Sequence, residues 1–575
     1  MNRLIRYKYG WLAALILAAA LIVTSSMVNL RLDFTEENRY TLSEASKKLI
    51  RETQEPTQIT VLLKGDPLPV FFRKLAGSSE FFLKELKSRS QGNITYRFVT
   101  PDEFMTDAES FPVNDTLKTE WLKQNAVKQN EITQTGTRAA FVYPIALLQQ
   151  EDRMTTVNLL QGQGNKGFLN PDNAALQYEL INNAESQMEY LFMSALQALS
   201  DAPLPVIAYE TGHGQPTGPN TFDLSSNLQS RFNFFVIDIK ERPFISDSID
   251  VLMIVKPELS FKDEEKLKID QFIMRGGRVM FLLDGLNADM DSLIRSGRDF
   301  TAFPRDLKLE DLLFRYGARI NFDLVEDAQC DMLPQTVGMI GNQPQIELMP
   351  WPYFPLLYSQ SNHPVAKNLD AVVMQFPNSV DTVKADGIEK DILLTTSNTS
   401  KRTNAPVIVT VEVLKMLENP SAFPDKNIPV ALMLSGKFQS LYANRLPGAT
   451  AESLAARGQP FLPKGVNPGM IMITGDGDWV LNAFTREGPM PMGSNPYTQY
   501  EFANKDFLMN AIDFMTDEKG IMASRSKSFQ LRVLDPKKLE SNKPAIQWAN
   551  VALPVLLLGI FGLAFVIWRR KKYSR

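Results

Sequence analysis

Two histidines, one cysteine and a few glycine-flanked carboxylates are the residues of this 575-residue chain best placed by type and spacing to do chemistry. The stretch TGHG, made of Thr211, Gly212, His213 and Gly214, follows the buried-strand pattern PLPVIAYE. Open α/β sheets bind ligands at the carboxyl ends of their strands. Asp284 ends a second apolar run, RVMFLLD, so one crevice could bring a base and an acid together. These five residues form the candidate ligand-binding set. No GxSxG elbow is present, two histidines cannot supply HExxH beside a further ligand, and Cys330 does not stand at a strand-to-helix turn. No catalytic residue, metal ligand or cofactor is therefore assigned. Glycines around a polar residue also serve as plain turn punctuation. On that reading, truncating His213 costs no more than about 1 to 2 kcal/mol of local hydrogen bonding.

Two further motifs spell a function without its context. GQGNKG, residues 162–167, matches GxGxxG, but FLNPDN follows where the dinucleotide fingerprint needs a helix N-terminus to meet the pyrophosphate. GDGDW, residues 475–479, offers Asp476 and Asp478, then Val480 where a calcium loop needs an oxygen, and no glutamate at its twelfth position. A connector and a turn are the better readings.

The elements that must position these residues fall into two groups. From residue 58 the pattern is βαβαββ, with strands at 58–65, 93–101, 138–149 and 153–160 and helices at 70–90 and 115–127. That order predicts a thioredoxin-like domain over 31–165. Its first strand leads into GDPLPVFF with no cysteine, which removes the CxxC of redox chemistry. A helix over 173–199 carries Ala184, Met188, Leu191, Phe192, Ala195, Leu196 and Leu199 at helical spacing. Continuous apolar strands then alternate with amphipathic helices, which predicts a larger open parallel-sheet domain of flavodoxin or glutamine-amidotransferase-like type over 166–535. Its stretch 330–470 reads as an irregular insertion in which WPYFPLLY (351–358) is a covered loop or a docking surface.

Both ends of the sequence are apolar. Residues 11–30 follow Arg3, Arg6 and Lys8, and residues 548–568 precede the basic tail 569–575. Each run is long enough to cross a bilayer as a helix of roughly twenty residues. The positive-inside rule puts 1–10 and 569–575 in the cytoplasm, with the body, and a linker at 536–547, on the far side. A cleaved signal peptide is the alternative for the first run, although Ser25, Ser26 and Met27 make a poor cleavage site. Net charge −4 leaves no electrostatic footprint for nucleic acid, and one cysteine allows no internal disulfide. A short helix over 43–52 starts soon after the first run, with Thr41 or Ser43 as N-cap and a Thr41–Glu44 capping box.

The segment RLDFTEENRYTLSEAS, with Asp33, Tyr40, Thr41, Leu42 and Ser43, resembles the juxtamembrane signature of GldG-type auxiliary, non-ATPase subunits of gliding-motility ABC transporters. EYLFMSALQAL with Glu189 and Tyr190, the TGHG turn, and the closing blocks 472–484 and 504–535 are similar to the same family. The family usually has an acidic residue after GHG where this chain has Gln215. The resemblance implies a non-catalytic subunit of the bacterial inner membrane with a periplasmic body and both termini cytoplasmic. Walker motifs are absent, so a separate ATPase subunit and a multi-span permease are the implied partners. The competing class is a membrane-anchored periplasmic hydrolase or ligand receptor that uses the TGHG turn.

Overall fold

The computed structural model describes residues 41–573 apart from 66–67, 108–117, 120, 123–125, 134–135, 162–173, 201, 297–298, 342, 487 and 527–535. They divide between two units, Met1–Ser528 and Phe529–Arg575. The GQGNKG stretch, the first apolar run, Asp33 and Tyr40 lie outside the described residues.

In the first unit, α1 (Glu44–Glu52) begins where Ser43 leaves the extended conformation, its Oγ accepting the Ser46 N–H at 3.1 Å. The cap is Ser43, not Thr41, and Glu44 pairs with Lys47 at 2.6 Å. Leu42, Leu49 and Ile50 are buried on one face. The chain continues through β1 (Thr57–Val61), α2 (Val70–Arg89), β2 (Ile94–Phe98), α3 (Pro101–Thr106), β3 (Val127–Thr133), β4 (Gly136–Val142), β5 (Ile145–Gln150) and β6 (Arg153–Asn158). A four-stranded sheet takes the order β2-β1-β5-β6, with β1 parallel to β2 and antiparallel to β5. The one strand expected over 138–149 is two, because Pro144 has no N–H to continue a ladder, and β4 instead pairs with β3. Thr100 and Glu103 cap α3 reciprocally, a helix absent from the sequence reading. Most of the helix expected over 115–127 falls outside the described residues, and Val127 opens β3.

Helix α4 (Ala174–Leu199) packs its apolar stripe against α2 and the small sheet, and every apolar residue expected on that stripe is buried. The large sheet follows through β7 (Val206–Glu210), α5 (Phe222–Arg231), β8 (Asn233–Ile237), β9 (Val251–Val255), α6 (Asp263–Met274) and β10 (Arg278–Leu282). Beyond these come β11 (Cys330–Ile340), β12 (Gln343–Leu357), β13 (Ile388–Thr395), β14 (Pro429–Gly436), β15 (Gly469–Thr474) and α7 (Asn504–Thr516). The seven-stranded order is β13-β14-β15-β10-β9-β7-β8. Strands β15, β10, β9, β7 and β8 are parallel. Strand β9 shows why its sequence is continuously apolar: Val251, Met253 and Val255 enter the core on one face, and Leu252 and Ile254 the core on the other.

Two expectations need correction. The sheet is mixed, since β14 runs antiparallel to both of its neighbours, β15 and β13. The stretch 330–470 is also no irregular insertion: β13 and β14 belong to the main sheet, and β11 and β12 form a long antiparallel hairpin. WPYFPLLY lies in and just beyond β12, with Trp351, Tyr353 and Phe354 buried. Prolines at 344, 350, 352 and 355 hid this strand, yet a ribbon with open edges accommodates a residue without an N–H.

The second unit contains α8 (Pro536–Tyr573). Its stretch Gln547–Lys571, of mean hydropathy 2.6, is the one helix among the described residues long and apolar enough to cross a membrane.

Candidate functional site

The five parallel strands run β8-β7-β9-β10-β15, so the chain leaves β7 toward β8 on one side and β9 toward β10 on the other, and the carboxyl ends of β7 and β9 flank the switch point. An α/β sheet opens a ligand crevice there. In this chain TGHG fills it. Thr211 donates its N–H to the Ile237 carbonyl at 2.9 Å, and the Glu258 and Leu259 N–H groups from the loop after β9 donate to the His213 carbonyl at 2.8 and 2.9 Å. A Cβ at Gly212 would press on the Asp238 carboxylate and lie 2.7 Å from Glu210 Oε1, so a side chain there displaces one or both. Gly214 adopts φ +78°, a left-handed conformation that suits a residue without Cβ.

His213 is completely buried and stacks on Phe261, ring centroids 3.6 Å apart. Its Nδ1 is 3.1 Å from Glu210 Oε1 and its Nε2 3.2 Å from Glu265 Oε2. Each ring nitrogen thus lies within hydrogen-bond distance of a carboxylate oxygen. Burial pushes the Glu265 carboxyl up, but the Lys262 N–H and His213 together outweigh it and hold it below the usual range. Gln215 completes the knot, its Oε1 accepting the His213 N–H at 2.8 Å and its Nε2 donating to Glu210. The candidate residues Thr211, Gly212, His213 and Gly214 thus come together as an internal tie between β7, the loop after β9 and the start of α6.

Asp284 belongs to a different network. Strand β9 separates β7 from β10, and Asp284 meets the loops that leave β9 and β15. Its Oδ1 accepts the Gly477 N–H at 2.8 Å, and its Oδ2 is 3.5 Å from Lys256 Nζ. Lys256 also pairs with Asp478, while Asp476 accepts the N–H groups of Gln375 and Asp478 at 2.8 and 2.7 Å. Oxygens of Asp284, Asp476 and Asp478 all lie within 4.8 Å of one another. Burial, with the charges of Asp478 and Asp284, pushes the Asp476 carboxyl well above its usual value. Burial and the Asp284 charge push Asp478 up to about 6 against the pull of Lys256. Three carboxylates are a donor set for a hard cation. Here the Lys256 ammonium supplies positive charge inside the cluster. Sequence reading put Asp284 in the candidate set and took Asp476 and Asp478 as a turn; the missed signal is that Lys256, Asp284 and Asp476 each follow an apolar strand run within two residues.

A family model of ABC transport auxiliary proteins, described as an ABC-type uncharacterized transport system, matches residues 204–511, more than half of the chain. The chain belongs to that family. The match encloses all seven strands of the large sheet, and with them the TGHG knot and the Lys256 cluster of this ABC auxiliary protein. A second model, a domain of unknown function designated DUF7088, matches residues 36–149. No curated protein matches the chain. A solved structure titled "mmIFT52 N-terminal domain" aligns at 13% identity with a TM-score of 0.28, covering 54% of this chain and 97% of that one.

Of the motif residues that follow the first apolar run in the ABC auxiliary chain, Thr41 to Ser43 are described. Leu42 is buried, and the Ser43 N–H donates to Glu189 Oε1 at 2.7 Å. Cys330 and His363 are largely buried. Burial, with Asp327 and Asp331 nearby, pushes the Cys330 thiol up to about 12, which removes its nucleophilic thiolate at neutral pH. His363 accepts the Val365 N–H at its Nδ1, 3.3 Å away, and packs edge-on against Phe514.

Proposed function

We propose that this chain is the non-ATPase auxiliary subunit of a GldG-type ABC transport complex associated with gliding motility. It is held in the bacterial inner membrane with its body in the periplasm and both termini in the cytoplasm. It meets a multi-span permease, and a separate subunit hydrolyses ATP. The α/β body is a scaffold, takes no cofactor and is not an enzyme. The observation that carries this reading is the filled switch-point crevice. A hydrolase or receptor working through His213 would need a ring nitrogen facing solvent, and both nitrogens face buried or nearly buried carboxylates. Family membership and the apolar helix Gln547–Lys571 support the transporter association and the anchor. The strand order around β7 supports a flavodoxin-like larger domain, and the β2-β1-β5-β6 sheet a thioredoxin-like smaller one. The GldG type rests on the resemblance of residues 31–46, of Glu189 and Tyr190 and of the closing blocks.

Protease added to spheroplasts tests the placement. Epitope tags at Met1 and Arg575 are expected to stay protected while the body between the two apolar runs is degraded. Cleavage of either tag would refute the hairpin anchor.

A further inference from the structure

The segments that adjoin the two apolar stretches of the sequence meet on one helix. On the N-terminal side, α1 points its first turn at Glu189 in α4: the Ser43 N–H and the Ser46 hydroxyl donate to Glu189 Oε1 at 2.7 and 2.6 Å. A carboxylate at a helix N-terminus also complements the helix dipole. On the C-terminal side, residues 521–526 precede α8 by about ten residues, and Arg525 there is 1% exposed, its guanidinium 5.3 Å from the ring centroid of Tyr190. Arg525 donates to Asn510 Oδ1 of α7 and, at 3.3 Å, to the Lys367 carbonyl. The Tyr190 hydroxyl donates to Asp513 Oδ2 at 2.6 Å, and Arg231 of α5 holds the same carboxylate at 2.9 and 3.0 Å. The two segments also touch directly: Lys519 Nζ lies 3.8 Å from Glu52 Oε2. Leu42, Leu49, Ile50, Tyr190, Ile521 and Met522 share one hydrophobic core.

We propose that Glu189 and Tyr190 form a clasp that holds both membrane-adjoining segments to the body as one mechanical unit. Adjacent on α4, they face two different tasks. Glu189 takes the incoming segment, and Tyr190, through Arg525 and Asp513, takes the outgoing one and ties both to α5 and α7 of the large domain. With the clasp closed, a movement of the membrane partner turns the body; with it open, the movement is lost in loose chain. Glu189 and Tyr190 are positioning residues and touch no substrate. This rests on the auxiliary-subunit reading.

Spin labels at Lys48→Cys and Glu518→Cys, in a Cys330→Ser background, report the distance between the two segments in the full chain held in lipid nanodiscs. Glu189→Ala is expected to broaden that distance distribution and to abolish complementation of a deletion strain, while membrane level and co-purification with the ATPase subunit stay at wild-type values. Tyr190→Phe, which keeps the ring under Arg525 but drops the hydroxyl, is expected to broaden it less. An unchanged distribution, or a broadened one with full complementation, overturns the clasp. Should Glu189→Ala fail to accumulate, Ser46→Ala removes a single donor and is judged by the same two readouts. A wild-type chain that co-purifies with no ATPase subunit would overturn the auxiliary-subunit reading while leaving the distance result to decide the clasp.

Discussion

His213 Nε2 lies 3.2 Å from Glu265 Oε2 and so joins the turn after β7 to the first turn of α6, 52 residues further along the chain. Removing the imidazole leaves Glu210 and Glu265 buried without their shared partner and opens a gap beside Phe261. His213→Ala is therefore expected to cost more than about 2 kcal/mol, because two buried acceptors each lose a partner at about 1 to 3 kcal/mol. That exceeds the cost of about 1 to 2 kcal/mol expected if TGHG were plain turn punctuation. The shift in urea midpoint of the full chain in detergent micelles measures it, and a cost under 1 kcal/mol would contradict the internal tie.

Gly212→Ala separates steric need from chain entropy. Its methyl would meet Asp238 and Glu210 well inside contact distance, so it is expected to lower the melting temperature. Gly77→Ala, in α2 with nothing within 4 Å of the added atom, is expected to gain about 0.5 to 1 kcal/mol. Thermal scans of the two proteins side by side check the opposite signs.

Gln215→Glu tests why an amide occupies the position after GHG. The amide nitrogen donates to Glu210; a carboxylate there would face another carboxylate in a buried site. The substitution is expected to destabilise the chain by about 1 to 3 kcal/mol at neutral pH. Acidification to the carboxylate range should narrow the gap to wild type, which urea midpoints across pH would record.

The Lys256 cluster gives a pH signature. Asp478, raised from 3.8 to about 6, binds its proton more tightly in the folded chain than in the unfolded one. Its contribution to stability is fully present below the unfolded value and is lost as pH rises through the folded one. Asp478→Asn is expected to flatten the decline between pH 3.8 and about 6, as measured by denaturation midpoints at successive pH values. An unchanged slope would place the titrating group elsewhere.

How far the sequence foretold this molecule depended on whether a signal was local. Helix α4 and strand β9 were legible because their apolar spacing reflects the faces they bury. The capping of α1 was legible in kind, but the choice of Ser43 over Thr41 depends on Glu189, nearly 150 residues away. Hairpin β11–β12 was hidden by its prolines, which argue against a strand unless an open edge is known. At the candidate site, the glycines of TGHG announced a turn, while the identity of the partners did not follow from spacing. His213 and Asp284 looked equivalent as polar groups at strand ends, and only the strand order, with β9 between theirs, assigns them to different networks.

The most direct test of the account is affinity purification of the full chain from its own membranes through a tag at Arg575, with every co-purified subunit identified by mass spectrometry. The account predicts a Walker-motif ATPase and a multi-span permease in fixed ratio to this chain, with ATP hydrolysis that survives His213→Gln in the folded complex. A chain recovered alone, or one that hydrolyses a substrate by itself and loses that activity in His213→Gln, would contradict it.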